Sequence, residues 1–457
     1  MSQKLQKLFW TWDHSTNWTL NVPGNQSCGA GNTYTKKPGT FLSDYQRSID
    51  YCVDHGIDAI GIAGLLRERH GGVNFARKVC AYARERGVRI YMIAGLYAYG
   101  GVFYEGEHPY CLETFLRDNP DCLAKNTDGK DLLFQCQAPG CKLVRQGCPS
   151  NPKMNDYVLR SIEWLFKNVP ELGGLQMETG DTKFCMCPKC LERRKMGEIK
   201  PEIDYWMSFD DMALIYPDAV KIMQQTAPEA WAICETYHHF LPGDPNTLYD
   251  FGGDLPSDKA ELFRNIPKNT FLQWVCDHPV LDGVWKEDYD GKLPEILKPF
   301  RHILRAHQGT YWSGGRHALA LERVRRQCRM AALCGAEAVS MFGESSPFHT
   351  NMEFNYLALT YFADNPFSTP EQFADDVMAP RLGGKQLAED YIKFATIGKT
   401  EPGKIPQFTG KIMEYSSKLR EHEQVRRWVW LASYLNSLHW ESMQKDFIQQ
   451  DEKLVVS

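Results

Sequence analysis

Apolar and polar positions alternate in blocks along this chain. Short apolar runs of strand character recur, each followed by a polar loop and then by a stretch of helical period. That rhythm predicts parallel βα units. The runs fall at 8–12, 58–63, 89–97, 174–178, 231–235, 270–275, 309–312 and 336–343. Between them the 3.6-residue period predicts helices over 43–55, 73–86, 153–168, 293–307 and 319–334. In the first, Tyr45, Ile49, Cys52 and Val53 share a face, and Gly56 follows as a cap. Eight strands with intervening helices predict a (β/α)8 TIM barrel spanning about 1–350. An open doubly wound sheet is the rival, but no glycine-rich phosphate fingerprint follows the first strand.

After Glu344 the pattern changes, and from 351 to 457 only helical periodicity is present. This predicts an α-helical C-terminal module. Its segment 424–447 carries Trp428, Trp430, Leu431, Tyr434, Leu435, Leu438 and Trp440. The three tryptophans are expected to be buried, against the barrel or against a second subunit in a homodimer. One connection breaks the rhythm of the barrel. The stretch 98–152 is rich in Cys, Gly and Pro and is too long for an ordinary loop, so it is expected to cover the barrel mouth.

Composition narrows the class. At 43% hydrophobic and 24% charged residues the chain is ordinary globular protein, and a net charge of −5 offers no basic footprint for nucleic acid. No run of eighteen apolar residues predicts a membrane span. Met1–Leu8 lacks the apolar core and cleavage site of a signal peptide, so a cytoplasmic protein is expected, a trimmed leader being the alternative. Fifteen cysteines is an odd count, and several lie within apolar elements, which fits reduced core thiols. The 12 Trp, 21 Tyr and 23 Phe serve cores first, but aromatic faces also pack against the C–H faces of sugars.

Barrel enzymes react substrates at the C-terminal ends of their strands. Trp12, Asp13 and His14 close the first strand and Tyr97 the third. Glu178 and Asp181 follow the fourth, and Glu235, Tyr237, His238 and His239 the fifth. Trp274 and Asp277 come from the sixth, Trp312 and Arg316 from the predicted seventh, and Glu344 from the eighth. Carboxylates, histidines and aromatic rings thus converge on one rim. Such a set suits glycoside hydrolysis, which needs one carboxylic acid to protonate the leaving oxygen and a second group for the oxocarbenium-like centre. Glu178 is the expected acid, beside Met177, Trp274 and Trp312 in surroundings that favour its protonated form. Asp181 is the expected ionised partner, with Glu344 as a further catalytic candidate. Glu235 and Asp277 can serve as bases or hydroxyl acceptors, and Trp12, Asp13, His14, Tyr97, Tyr237, His238, Trp274, Trp312 and Arg316 as sugar contacts.

The segment Met177-Glu178-Thr179-Gly180-Asp181, leading into Cys185-Met186-Cys187-Pro188-Lys189-Cys190, resembles the strand-four region of barrel glycosidases related to the beta-N-acetylhexosaminidases and alpha-glucuronidases. The resemblance is to bacterial members with a Cys-x-Cys-x-x-Cys segment there. Gly343-Glu344-Ser345-Ser346-Pro347 and Glu353-Phe354-Asn355-Tyr356 resemble the same group's barrel end and first C-terminal helix. The resemblance implies an acid after strand four, beside a second acid that orients the substrate's acetamido group. Here the two acids stand three positions apart, a departure from the adjacent pair. No carboxylate follows the predicted seventh strand, which argues against a nucleophile there.

Cys185, Cys187 and Cys190 lie within six residues, and Cys136, Cys141 and Cys148 lie in the long insertion. Three or four of these thiolates could hold a structural zinc ion, disulfides and free thiols being the alternatives. An all-thiolate site leaves no open position for catalysis, so no cofactor is expected in the reaction. Two other functions stay open. A non-catalytic carbohydrate-binding barrel would explain the acid spacing and the bare seventh strand. A metal-dependent barrel hydrolase would need clustered ligands, of which the first strand offers only Asp13 and His14.

Overall fold

A computed structural model of the chain describes residues 4–19, 36–134, 144–178, 183–194, 209–239, 257–276, 293, 295–309, 317–348 and 351–455. Its strands are β1 (Gln6–Trp12), β2 (Ala59–Ala63), β3 (Arg89–Gly95), β4 (Leu133–Phe134), β5 (Val144–Arg145), β6 (Gly174–Glu178), β7 (Trp231–His239), β8 (Phe271–Val275), β9 (Arg301–Arg305) and β10 (Ala338–Phe342). Eight of them close a parallel barrel in the order β1-β10-β9-β8-β7-β6-β3-β2. β1 seals it, pairing Leu8 with Ala59 of β2 and Gln6 with Ala338 of β10. β4 and β5 form a separate antiparallel pair within the insertion.

Both faces of a barrel strand are buried, one in the lumen and one under the helices, so these strands read as near-continuous apolar runs. Leu8, Trp10, Tyr91, Ile233, Phe271 and Ile303 pack in the lumen. Their alternates, such as Phe9, Met92, Leu175, Met177, Leu272 and Leu304, join the core shared with the helices. Lumen packing limits side-chain size. A Cβ at Gly61 would overlap the Tyr91 ring, so glycine makes room for the tyrosine. In the helix Pro38–His55, Tyr45, Ile49 and Cys52 are buried as their spacing predicts, while Val53 is exposed.

The seventh barrel strand corrects the sequence reading. Residues 293–307 were expected as a helix and 309–312 as the strand. The strand is instead β9, which pairs Arg301 with Phe271 of β8 and Ile303 with Ala338 of β10. Its polar residues gave it a helical rhythm, and each finds a long-range partner. Arg301 pairs with Glu337 at 2.7 Å, His302 accepts from the Trp274 indole at 3.0 Å, and Arg305 pairs with Glu235 at 3.1 Å. Gly309 lies beyond the strand at φ 86°, and 310–312 lie outside the described residues. From Ala306 to Arg316 the sequence still holds no carboxylate.

Beyond β10 the described elements are helices, chiefly Met352–Asp364, Lys385–Thr400, Ile405–Lys418 and His422–Val455. The first lies against the barrel, with the Tyr356 ring 4.6 Å from Phe9, and Lys7 bonds Asp364 at 2.9 Å. Trp428 is wholly buried among Tyr391, Phe394 and Tyr415, and its indole donates to Leu382 O. Trp430 is half-buried, but Trp440 is 65% exposed, against expectation. The reason is length. A helix of 34 residues runs about 51 Å, whereas its neighbour Ile405–Lys418 has 14 residues and covers about 21 Å. Among the described residues no helix is long and apolar enough to cross a membrane.

Candidate active site at the barrel mouth

Alternation along β6 and β7 sends Gln176 and Glu178, and Ile233 and Glu235, into the lumen. Met177 pairs with Cys234, so Glu178 and Glu235 stand one step further on, side by side on neighbouring strands. Adjacent strands are about 4.8 Å apart. The two carboxylates therefore stand side by side at the C-terminal end of the lumen, and both are buried. The buried Tyr216 hydroxyl lies 3.0 Å from Met177 O and 2.7 Å from Glu235 O, tying the two strand ends at this level. Glu235 Oε1 accepts from Arg305 Nη2 at 3.1 Å and from Gln273 Nε2 at 3.3 Å. A guanidinium at that distance favours the ionised carboxylate.

Glu344, two residues past β10, comes from the opposite side, because β10 stands four strands from β6 in a ring of eight. It is buried, and its Oε1 accepts from Trp12 N at 2.9 Å and Ser15 Oγ at 2.5 Å. Trp12 faces the lumen, with Tyr99 at 5.7 Å and His14 at 5.5 Å between ring centroids.

Asp13 points the other way, behind this wall. Arg67 Nε pairs with its Oδ2 at 2.6 Å, and His70 Nδ1 lies 3.1 Å from the same oxygen. Burial alone would raise the Asp13 carboxyl, but Arg67, then hydrogen bonding with His14 and the charge of His70, hold it well below the usual range. Burial keeps His70 down at about 4 against the pull of Asp13. Gly64, at φ 84°, passes so close that a Cβ there would overlap the Asp13 carboxylate. Arg67 also pairs with Glu105 at 2.7 Å and lies over the Tyr104 ring, which carries the frame into the insertion.

The structure thus brings Trp12, His14, Glu178, Glu235 and Glu344 to one mouth. It does not bring Tyr97 or Trp274 there. The Tyr97 hydroxyl bonds Asn155 at 2.7 Å in the helix-side core, and Trp274 lies in the same outer layer. Met177 also projects outward, so two of the apolar neighbours expected for Glu178 are on the far side of the sheet. Asp181, Asp277, Trp312 and Arg316 lie outside the described residues, as do the side chains of Tyr237 and His238. Sequence reasoning missed Arg305, Arg67 and Tyr99. Tyr99 has φ 51°, a left-handed backbone that costs a non-glycine residue roughly 1–2 kcal/mol. The Gly100-Gly101 pair beside it was the one local sign of a turn there.

In the segments that follow β3 and β6, Cys148 of the insertion meets Cys185, Cys187 and Cys190, whose sulfurs all lie within 4.8 Å of one another. These four could hold a metal ion. Cys136 and Cys141 lie outside the described residues. A separate cleft of about 510 Å³ opens at the opposite end of the barrel, lined by Gln6, Asp58, Arg89, Gly173 and Trp231. Those residues begin strands rather than end them, the end of a barrel that serves stability rather than chemistry.

No protein-family model matches the chain, and no curated protein matches it either. Similar solved structures include a cyclic alpha-maltosyl-(1→6)-maltose hydrolase from Arthrobacter globiformis, at 12% identity over 79% of this chain and 83% of that one, with TM-score 0.41. An alpha-amylase from Lactobacillus plantarum has 10% identity over 79% and 80%, with TM-score 0.42. A beta-glucosidase from Thermotoga maritima has 9% identity over 81% and 100%, with TM-score 0.41. Likeness at this level leaves the chemistry to be argued from the residues of this chain.

Proposed function

We propose that this chain hydrolyses O-glycosidic bonds of an oligosaccharide or glycoside, with its chemistry at the C-terminal mouth of the barrel. The observation that carries this reading is the inward, side-by-side pair Glu178 and Glu235, with the Arg305 guanidinium 3.1 Å from Glu235. Unlike environments divide two carboxyls into an acid and an anion. Glu178, in its acid form, gives its proton to the leaving glycosidic oxygen. The C–O bond breaks with its electron pair going to that oxygen. The positive charge left at the anomeric carbon faces the Glu235 carboxylate, water completes the substitution, and its proton returns the acid form. Glu344, held by Trp12 N and Ser15 Oγ, is a fixed acceptor for a sugar hydroxyl across the mouth. Trp12 and Tyr99 offer ring faces to the sugar, and Asp181 orients substrate from the loop after β6. Asp13 acts through Arg67 and His70 as a positioning residue.

The reaction needs no cofactor in this reading, and the thiol tetrad holds a structural ion. The barrel of about 1–350 carries the chemistry and the helices of 351–457 brace it. A panel of chromogenic aryl glycosides tests the proposal. Hydrolysis of at least one member, abolished when both Glu178 and Glu235 become Gln, is expected. Binding of oligosaccharides without turnover of any member would overturn it in favour of a carbohydrate-binding barrel.

A further inference from the structure

We infer that Cys148, Cys185, Cys187 and Cys190 bind one zinc ion that staples the long insertion to the segment leaving β6. This inference stands on the thiols and is independent of the glycosidase reading. Cys148 Sγ lies 3.7 Å from Cys187 Sγ and 3.6 Å from Cys190 Sγ. A disulfide needs about 2.05 Å. A tetrahedron of thiolates at the usual Zn–S distance of about 2.3 Å has edges of about 3.8 Å. The observed spacings match that edge, and a multi-iron cluster would hold its thiolates farther apart.

Polar groups also face the sulfurs. The amides of Lys125 and Cys187 point at Cys185 Sγ, the first at 3.3 Å. Ser150 Oγ lies 3.1 Å from Cys190 Sγ, and Arg193 stands beside the same thiol. Binding converts four thiols and Zn²⁺ into a tetrathiolate of net charge −2 and releases four protons. The turn Cys187-Pro188-Lys189-Cys190 presents two ligands from one short loop, its Cys190 N donating to Cys187 O at 3.0 Å. The apolar residues clustered with the thiols are Ala124 and Leu132. The staple has a consequence for the mouth. Six residues lie between Glu178 and Cys185, and Asp181 is among them. Strand β6 fixes one end of that segment and the ion fixes the other.

The test uses the full chain, purified without chelator, with elemental analysis and thiol titration. One zinc per chain is expected, released as four thiols are modified with a mercurial. Cobalt added to the apoprotein should give a thiolate-to-metal charge-transfer band and the intense visible bands of a tetrahedral site. Cys187→Ser removes the most accessible ligand and should weaken zinc binding more than about 10-fold. Cys122→Ala, beside the tetrad but outside it, should leave zinc content unchanged. Metal-free protein with all four thiols reactive, a disulfide among them, or iron in place of zinc would overturn the inference. So would full zinc retention in Cys187→Ser.

Discussion

Arg305 reaches Glu235 at 3.1 Å inside the barrel, with the two side chains 3% and 1% exposed. A buried pair of this kind adds little net stability, but breaking it strands a charge. Arg305→Leu should therefore cost about 3–5 kcal/mol, read from urea unfolding. Glu235→Leu with Arg305→Leu should recover most of that loss, because neither charge is then left behind, yet stay inactive. If the double variant were no more stable than Arg305→Leu alone, the coupling would be wrong.

Acid stability should depend on two histidines. His302 accepts from the Trp274 indole at Nδ1, and its Nε2 lies 3.0 Å from Leu297 O, so the neutral ring protonated at Nε2 satisfies both. Burial lowers His302 from 6.5 to about 4, and burial does the same to His70. Between those values the unfolded chain binds protons that the folded chain refuses. The stability contributed is full above about pH 6.5 and is lost as pH falls toward 4, on the order of 1 kcal/mol per pH unit for each histidine. Melting temperature against pH should fall across this window, and His302→Gln should fall less steeply. Equal slopes in both proteins would rule this out.

The two C-terminal tryptophans should differ sharply. Trp428→Ala empties a site enclosed by Tyr391, Phe394 and Tyr415, at a cost of about 3–5 kcal/mol. Trp440→Ala touches an exposed ring and should change stability by less than about 0.5 kcal/mol. Denaturant midpoints at low protein concentration measure both. A large cost for Trp440→Ala that grows with protein concentration would mean the ring is covered in solution by a second copy.

What could be read from the sequence follows how local each signal is. β2 was legible because a strand buried on both faces is apolar throughout. That same property hid the phase of β8. With both faces apolar, nothing local showed that Trp274 points outward and Gln273 inward. β9 was missed because Arg301, His302 and Arg305 are tolerated only through Glu337, Trp274 and Glu235, partners distant in sequence. Glu178 and Glu344 were visible as acids just at or past strand ends. Arg305 was invisible for the same reason as its strand. Three of the four clustered thiols sit in one short motif, and Cys148 was one of three candidates in the insertion, singled out from Cys136 and Cys141 only in three dimensions.

The sharpest prediction concerns Glu178. It stands beside Glu235, and two neighbouring carboxylates do not both ionise readily. In the proposed reaction the Arg305 guanidinium favours the charge on Glu235, and Glu178 keeps the proton. Glu178→Gln preserves shape and hydrogen bonding but has no proton to transfer. Turnover of a natural glycoside, whose leaving group must be protonated, should fall about 10²–10⁴-fold. Aryl glycosides with activated leaving groups depart with little assistance, so their turnover should fall much less. The pH profile should separate this role from a structural one. The wild type should lose activity on its alkaline limb as the acid ionises, and that limb should vanish in Glu178→Gln with an activated substrate. Stability and sugar affinity should remain near wild type, measured by urea unfolding and by titration with product. If Glu178→Gln kept near-normal turnover on a poor leaving group, the acid would be another residue. Glu344, across the mouth, would then be the first to replace.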